Sequence, residues 1–175
     1  MTIRKIELTD TDNFFNLIEK NRIHLLTYFP ITLKLTSDLW STNKFIEDKI
    51  TKFANKENFY FAVEIESKLI GAVSIKEIDW TVPKCEIAYF VDKDHQGKGI
   101  TKKAVKWLTK FCFVELEMEK IYAKINPENF ASKHVLERNG FVKEGTLKND
   151  YRNGNNILTD SDYYGLLRQK QNASR

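Results

Sequence analysis

Two glycines and a lysine lie together in the segment Gln96-Gly97-Lys98-Gly99, between an apolar stretch and a run of residues with helical spacing. Glycine allows a sharp turn and brings the backbone close to a bound group, because no Cβ stands in the way. The first amides of a helix lack partners within the helix and, together with the helix dipole, attract an anion. The segment therefore predicts a site for a phosphate or pyrophosphate, with Lys98 adding positive charge at the rim.

Other interpretations of the two glycines stay open on this signal alone. A Gly-x-Gly pair also forms plain tight turns. A dinucleotide-binding fingerprint needs a third glycine and a strand at the start of the chain, and a P-loop needs Gly-x-x-x-x-Gly-Lys-Ser/Thr. The sequence matches neither pattern. The segments around the loop must decide between these interpretations.

The elements that position this loop are predicted from hydrophobic spacing and capping residues. Apolar patterns predict strands at 3–8, 59–65, 69–78, 85–91, 121–125, 141–148 and 157–167. Helical spacing predicts helices that begin near 9–12 and near 36–38 and helices that span 99–116 and 129–139. Pro30 breaks the first helical segment, and Asn139-Gly140 predicts a left-handed end to the last helix. The strand at 85–91 is mostly apolar and is predicted to be central in the sheet.

Length and composition predict one ordinary globular domain over residues 1–175. Apolar residues make up 42% and charged residues 30%, and the formal charge is +4. The lysines are scattered along the chain, so direct nucleic-acid binding is not expected. The N-terminus lacks the apolar run of a signal peptide, and no stretch approaches the roughly 20 apolar residues of a membrane span. We therefore expect a cytoplasmic protein that does not bind membranes.

The cysteines and histidines carry no clear chemical signal. Cys85 and Cys112 form neither a disulfide framework nor a metal-type pair, so free thiols in a reducing compartment are predicted. No neighbouring residue in the sequence marks Cys85 as a catalytic thiol. His95 and His134 occupy positions typical of a loop and a helix surface. No cluster of metal ligands is visible, and no metal is expected.

Several motifs occur in order along the chain: Glu86-Ile87-Ala88-Tyr89-Phe90-Val91, His95-Gln96-Gly97-Lys98-Gly99-Ile100-Thr101, Asn126-Pro127-Glu128-Asn129-Phe130-Ala131-Ser132, Leu136-Glu137-Arg138-Asn139-Gly140-Phe141 and Glu144-Gly145. In this order and spacing they resemble the GNAT acetyltransferases, and more narrowly the RimJ/RimL branch, which acetylates the N-termini of ribosomal proteins. The resemblance covers roughly residues 59–167. It implies an α/β (α+β) GNAT acyl-CoA N-acyltransferase fold, with a mixed, mostly antiparallel sheet flanked by about four helices. Acceptor-side helices would lie in 1–58, the cofactor-binding core in 59–167 and a tail in 168–175.

The resemblance also implies acetyl-coenzyme A as the co-substrate. The strand before the loop would splay away from the next strand, pantetheine would lie in the gap, and the loop amides would hold the pyrophosphate. The expected cofactor-binding residues are Phe90, Val91, Gln96, Gly97, Lys98, Gly99, Ile100, Thr101, Asn126, Asn129 and Ser132.

Two residues are expected at the reaction centre, and each has a structural alternative. Ser132 would protonate the departing thiolate, and Glu86 would take a proton from the amine, directly or through water. Alternatively, Asn129 only caps the helix that it opens, Ser132 is only a first-turn residue, and Glu86 forms a structural ion pair. Aromatic residues that could line the acceptor pocket are Tyr28, Trp40, Trp80 and Tyr89.

Three functions stay open at this point. The first is acetylation of the N-terminal α-amine of a ribosomal protein. The second is acetylation of a polyamine, an aminoglycoside or another small amine, and the third is coenzyme A binding without catalysis.

Members of the branch are often homodimers, and Tyr163 and Tyr164 could form part of an interface or complete the core. Ala88 replaces a common glycine and adds a methyl group near the acetyl site.

Overall fold

The computed structural model describes residues 1–169. The strands are β1 (Thr2–Lys5), β2 (Phe59–Ile65), β3 (Lys68–Asp79), β4 (Lys84–Val91), β5 (Lys120–Ile125), β6 (Val142–Arg152) and β7 (Leu158–Leu167). The helices are α1 (Thr11–Leu26), α2 (Pro30–Leu35), α3 (Leu39–Ala54), α4 (Ile100–Val114) and α5 (Phe130–Glu137). Short 3-10 turns at Leu8–Asp10 and Lys93–His95 precede α1 and the glycine loop. Residues 170–175 of the predicted tail lie outside the described residues.

The strands form one seven-stranded sheet in the order β1-β2-β3-β4-β5-β7-β6. Every neighbouring pair is antiparallel except β4 and β5, which run parallel. β4 is the middle strand, as its mostly apolar sequence predicts. The predicted mixed, mostly antiparallel sheet is thus confirmed.

Two helix ends follow from residues that the sequence already singled out. The Asp38 carboxylate accepts a hydrogen bond from the Ser41 amide at 2.7 Å and starts α3. Gly140, with a φ of +86°, follows α5 in the predicted left-handed conformation.

Helix α2 and the length of β1 differ from the sequence prediction. Pro30 is the first residue of α2, where its fixed φ suits a helix and its missing N–H is not needed. It therefore starts a helix as well as ending the previous segment, and residues 1–169 contain five α-helices instead of about four. β1 ends at Lys5 because Leu8 already begins a 3-10 turn.

Each face of the sheet carries an apolar core. Helices α4 and α5 cover one face, with Ile87, Leu108 and Leu136 fully enclosed, and Tyr164 is only 1% exposed there. Helices α1, α2 and α3 cover the other face around Phe14. Tyr164 therefore completes the core, which was one of its two predicted roles.

The two cysteines lie inside the core under α4. Their Sγ atoms are 3.8 Å apart, and both thiols are free and fully buried. The hydrogen bond with Cys85 and burial raise the pKa of the Cys112 thiol, so this thiol stays protonated. The prediction of free thiols is confirmed, and their burial argues against a catalytic Cys85.

No helix in residues 1–169 has the length and apolarity to cross a membrane.

The β6–β7 hairpin reaches the end of α1. The Gly154 amide donates to the Leu26 carbonyl at 3.0 Å, and the Tyr151 hydroxyl donates to the Tyr28 carbonyl at 3.0 Å. A Cβ at Gly154 would lie 2.4 Å from the Leu26 oxygen, so the close approach requires glycine. The hairpin thus ties the edge of the sheet to the connection between α1 and α2.

We expect Gly154→Ala to lower the free energy of unfolding by about 1–3 kcal/mol, because the added methyl group must push the hairpin away from α1. Gly145→Ala is the matched control, since a Cβ there meets nothing within 4 Å. That variant should change stability by less than about 1 kcal/mol. Urea denaturation measures both, and equal stabilities would contradict the prediction.

Candidate active site

Strands β4 and β5 pair over a short distance and then separate. Their parallel register joins Lys84 to Lys120, Cys85 to Ile121 and Glu86 to Tyr122. Beyond Glu86, β4 keeps its pairing with β3 as far as Val91 but has no pairing with β5 in the described chain. The expected splay is therefore present, and it leaves backbone N–H and C=O groups of β4 free for a ligand.

The glycine loop has the conformation that its sequence predicts. Gly97 and Gly99 both have a φ of +72°, and open space lies where a Cβ would be. Gly99 directly precedes α4, whose first-turn amides have no partners within the helix. Within residues 1–169 the amides of Gly97 and Gly99 also find no backbone acceptor. The loop therefore offers several N–H groups to an anion.

Two predicted loop residues point their side chains elsewhere. The Lys98 ammonium donates to the Asp94 carbonyl at 2.9 Å, so it turns back onto the preceding turn. Ile100 is the first residue of α4, and its side chain is buried in the core that α4 covers. Only the backbone of these two residues is available at the loop, and the rim charge expected from Lys98 has to come from other side chains.

A cleft of about 450 Å³ opens beside the glycine loop, and we call it the loop cleft. Predicted residues that line it are Phe90, Val91, Gln96, Gly97, Gly99, Thr101, Asn129 and Ser132. Its basic lining residues are Lys102, Arg138, His24 and His134. No carboxylate is among the lining residues that the structure describes, so the loop cleft suits a polyanionic ligand.

None of these four side chains was among the predicted site residues, and His134 was expected only on a helix surface. Lys102 was expected only to face solvent, but it stands in the first turn of α4 at the cleft. His24 comes from α1, where its Nε2 lies 3.0 Å from the side-chain nitrogen of Gln96, and Arg138 directly follows α5. No local signal could have found His24 or Arg138, because only the packing of α1 and α5 brings them to the loop.

The start of α5 is built by side chains that bind its backbone. The Asn129 Oδ1 accepts from the Ser132 amide at 3.1 Å, and the Asn126 Oδ1 accepts from the Glu128 amide at 2.8 Å. The predicted alternative role of Asn129 as an N-cap is therefore present. The Tyr89 hydroxyl donates to the Ser132 carbonyl at 3.3 Å and joins β4 to α5. These contacts hold Ser132 at the cleft.

A second cleft of about 650 Å³ adjoins the first, and we call it the aromatic cleft. Its aromatic lining residues are Tyr28, Phe29, Phe45, Tyr60, Tyr89, Phe90, Tyr122 and Tyr151. Its charged lining residues are Lys49, Lys76, Lys124, Glu77, Glu86 and Asp150, and Asn126 also lines it. Of the predicted pocket aromatics, Tyr28 and Tyr89 lie here, whereas Trp40 and Trp80 line neither cleft and are exposed.

The two clefts share one wall. The residues that line both are Tyr28, Phe29, Tyr89, Phe90, Asn129 and Ser132. A group held in the loop cleft can therefore meet a group held in the aromatic cleft at this wall, beside the predicted reaction-centre residue Ser132.

Glu86 lies in the aromatic cleft at the point where β4 and β5 separate. The residue is 6% exposed, and one of its carboxylate oxygens is 2.9 Å from the Lys76 ammonium. The predicted alternative of an ion pair is thus present. The position of Glu86 among the cleft residues also leaves it available to a ligand.

Burial raises the pKa of several tyrosine hydroxyls in the aromatic cleft. It raises the pKa of Tyr151 to about 12. It also raises the pKa of Tyr60 and of Tyr89 well above the usual value. These side chains can therefore donate hydrogen bonds but cannot serve as bases near neutral pH.

Within residues 1–169 no group of three or more histidine, cysteine or acidic residues could hold a metal ion.

Comparison with known proteins places this architecture among acetyltransferases. Residues 1–142 match the family model of the acetyltransferase (GNAT) domain. The probable N-acetyltransferase YjcK of Bacillus subtilis is 31% identical over 172 residues, which cover 94% of this chain and 92% of the relative. A spermidine N(1)-acetyltransferase of Vibrio cholerae is 28% identical over 86% of this chain and 84% of its own length.

A solved structure agrees with these relatives. The crystal structure of a ribosomal-protein-S5-alanine acetyltransferase from Vibrio fischeri matches with a TM-score of 0.88 at 27% identity, over 94% of this chain and 91% of that chain. The chain therefore belongs to the GNAT acetyltransferase family, and it is an N-acetyltransferase that depends on acetyl-coenzyme A.

Proposed function

We propose that the chain acetylates the N-terminal α-amine of a ribosomal protein, by direct attack of the amine on acetyl-coenzyme A. The wall shared by the loop cleft and the aromatic cleft carries this proposal. It lets a donor and an acceptor enter from separate spaces and meet beside Ser132. Holding the two reacting groups together in attack geometry supplies much of the rate enhancement in such a transfer.

The loop cleft is the donor site in this proposal. The free amides of Gly97 to Thr101 bind the pyrophosphate, and Lys102 and Arg138 add positive charge. The Gln96 amide was expected to take part, but it already donates to the Lys93 carbonyl at 3.3 Å, so Gln96 contributes its side chain to the lining of the cleft. The backbone of Phe90 and Val91, on the open edge of β4, pairs with the pantetheine arm as it would with an added strand. Asn129 and Asn126 each use their oxygen within the chain, which leaves their amide nitrogens for the same arm.

Glu86 is the proposed general base. An amine must lose its proton before it attacks a thioester, and a buried carboxylate at the wall of the aromatic cleft can accept that proton directly or through a water. The ion pair with Lys76 holds the carboxylate in place.

Ser132 is the proposed general acid. The nitrogen–carbon bond forms first, and the carbon–sulfur bond breaks when the tetrahedral intermediate collapses. The Ser132 hydroxyl then donates its proton to the departing thiolate of coenzyme A, and the proton that Glu86 took from the amine returns to Ser132 through solvent. Its position is set by the Asn129 cap and by the Tyr89 hydroxyl. Backbone N–H groups on the open edge of β4 can stabilise the oxyanion that develops on the acetyl carbonyl.

The charges of the aromatic cleft support a protein N-terminus as the acceptor. Two of its three carboxylates are paired with lysines, since Glu86 lies 2.9 Å from Lys76 and Asp150 lies 3.5 Å from Lys124. A polyamine carries further cations that need free carboxylates, whereas a peptide continues from its amine as a neutral backbone. The ribosomal identity rests on the relative from Vibrio fischeri, which acetylates a ribosomal protein.

A polyamine is the second candidate acceptor. Glu77 lines the aromatic cleft, is exposed, and has no ion-pair partner in the described part of the chain. It could bind one additional cation, and a relative from Vibrio cholerae is a spermidine acetyltransferase. Aminoglycosides are a further small-amine alternative, and a coenzyme A-binding module without catalysis is the remaining one.

We expect Ser132→Ala to lower kcat by roughly tenfold to a thousandfold, because the departing thiolate loses its proton donor. The dissociation constant for coenzyme A should stay nearly unchanged. Thiol release and calorimetry measure the two quantities. Ser37→Ala, at an exposed position outside both clefts, is the control. Wild-type turnover in Ser132→Ala would remove this hydroxyl from the mechanism.

We expect Glu86→Gln to lower kcat by roughly a hundredfold, because glutamine keeps the shape but cannot accept a proton. Lys76→Met separates this role from that of a structural ion pair, since it breaks the same pair and keeps the carboxylate. It should retain much more turnover than Glu86→Gln. Equal losses in both variants would assign Glu86 to structure alone.

Acceptor identity is tested by thiol release from acetyl-coenzyme A with three classes of amine. N-terminal peptides of ribosomal proteins should be acetylated with a kcat/KM at least about tenfold above that for spermidine or kanamycin, because the balanced cleft offers little attraction to further cations. Mass spectrometry of ribosomal proteins from a deletion strain should then show a lost N-terminal acetyl group. An unchanged pattern rejects the ribosomal acceptor, and tight coenzyme A binding without any release would indicate the non-catalytic module.

A further inference from the structure

The segment that leads from β4 into the glycine loop is held against α1 by side chains of that helix. Lys20, Asn21 and His24 are one position or one turn apart, so they share the face of α1 that contacts residues 92–96. Neither Lys20 nor Asn21 lines the loop cleft or the aromatic cleft. Their contacts are therefore with the chain and not with a ligand.

Asn21 is the central side chain of this contact and is only 2% exposed. Its Nδ2 donates to the Asp92 carboxylate at 3.3 Å and to the Leu17 carbonyl at 2.9 Å. Its Oδ1 accepts from the Lys93 amide at 2.9 Å. One buried amide thus holds both a side chain and the backbone of the residues directly after β4.

Asp92 is also 2% exposed, and hydrogen bonds reach it from α1 and from its own loop. The Lys20 ammonium lies 2.5 Å from its Oδ2, and the Asp94 amide donates to its Oδ1 at 3.4 Å. Burial would raise the pKa of Asp92, but the hydrogen bonds from Lys20, the Asp94 amide and Asn21 outweigh burial and lower it. The carboxylate therefore stays ionised, and loss of a partner would leave a buried charge poorly compensated.

The contact continues up to the first glycine of the loop. Lys20 also lies 2.6 Å from Asp94, and His24 lies 3.0 Å from the Gln96 side chain. Helix α1 then ends at Leu26, just before two residues of the wall that both clefts share, Tyr28 and Phe29. One helix therefore contacts the loop and leads directly into the reaction centre.

We infer that Asn21 and Asp92 are positioning residues for the donor, which hold the glycine loop against α1 so that its amides meet the pyrophosphate. This inference rests on the proposed role of the loop as the pyrophosphate site. A loop that is already ordered loses less freedom on binding and so binds more tightly. The contact should matter for the phosphate-bearing part of coenzyme A and not for the pantetheine arm, which lies at the edge of β4.

Asn21→Ala tests this selectivity. We expect the dissociation constant for coenzyme A to rise about tenfold, equivalent to about 1.4 kcal/mol. Pantetheine, which has no phosphate, should bind as it does to the wild-type chain. NMR titrations of the full chain with each ligand measure both constants. Lys20→Met, at a partly exposed position, should show the same selectivity to a smaller degree, and it keeps the test valid if Asn21→Ala fails to fold.

Asn43→Ala is the matched control. The Asn43 amide donates to the Thr11 hydroxyl at 3.2 Å, so the variant disturbs the contact between α3 and α1 without touching the loop. It should bind both ligands like the wild-type chain. Unchanged coenzyme A affinity in Asn21→Ala and Lys20→Met, or equal weakening of both ligands, would overturn the inference.

Gly99→Val distinguishes this failure from failure of the proposed donor site. A valine at the left-handed φ of Gly99 is strained and must move the loop, so coenzyme A should bind more weakly. If Gly99→Val weakens coenzyme A alone while Asn21→Ala does not, only the role of Asn21 and Asp92 is rejected. If neither variant affects coenzyme A, the loop is not the pyrophosphate site.

Discussion

Both clefts depend on the separation of β4 from β5 beyond Glu86 and Tyr122. Buried backbone N–H and C=O groups need partners, and a sheet normally supplies them from the neighbouring strand. Along the half of β4 nearest the glycine loop this partner is missing, so an open polar edge faces the loop cleft. A ligand with amide groups along an extended chain can bind such an edge as an added strand does. Because the glycine loop follows directly after β4, the same strand also sets the distance between this edge and the anion-binding amides.

The separation persists because other contacts hold β4 on every other side. Its second edge stays paired with β3 as far as Val91, and apolar cores cover both faces. The Tyr89 hydroxyl joins it to the start of α5, where Ser132 lies. After its last residue the chain is held by Asn21 and Lys20 of α1 through the buried Asp92. The open edge therefore lies on a strand that is held by contacts on its other sides, which suits a site that must align two reacting groups.

The two clefts differ in charge, and this difference agrees with different ligands. The loop cleft has lysine, arginine and histidine side chains and, in the part of the chain that is described, no carboxylate. Such a field attracts a ligand with several phosphates. The aromatic cleft has carboxylates and lysines in balance, with Glu86 held by Lys76. A singly charged amine on a neutral chain enters such a cleft at a lower desolvation cost than a polycation.

The sequence by itself determined the features that depend on neighbours within a few residues. These are the left-handed glycines of the loop, the Asp38 cap, the left-handed Gly140 that follows α5, the apolar pattern of β4 and the motifs that identify the family. Only the tertiary structure decided which distant side chains meet. It brings His24 and Arg138 to the loop, Lys76 to Glu86 and Asn21 to Asp92. It also places Tyr28 at the clefts and leaves Trp40 and Trp80 outside them. Local dihedral preferences and caps are set by adjacent residues, so a sequence pattern can reveal them. Contacts between residues far apart in the chain depend on strand order and helix packing, which the spacing of residues within one segment does not encode.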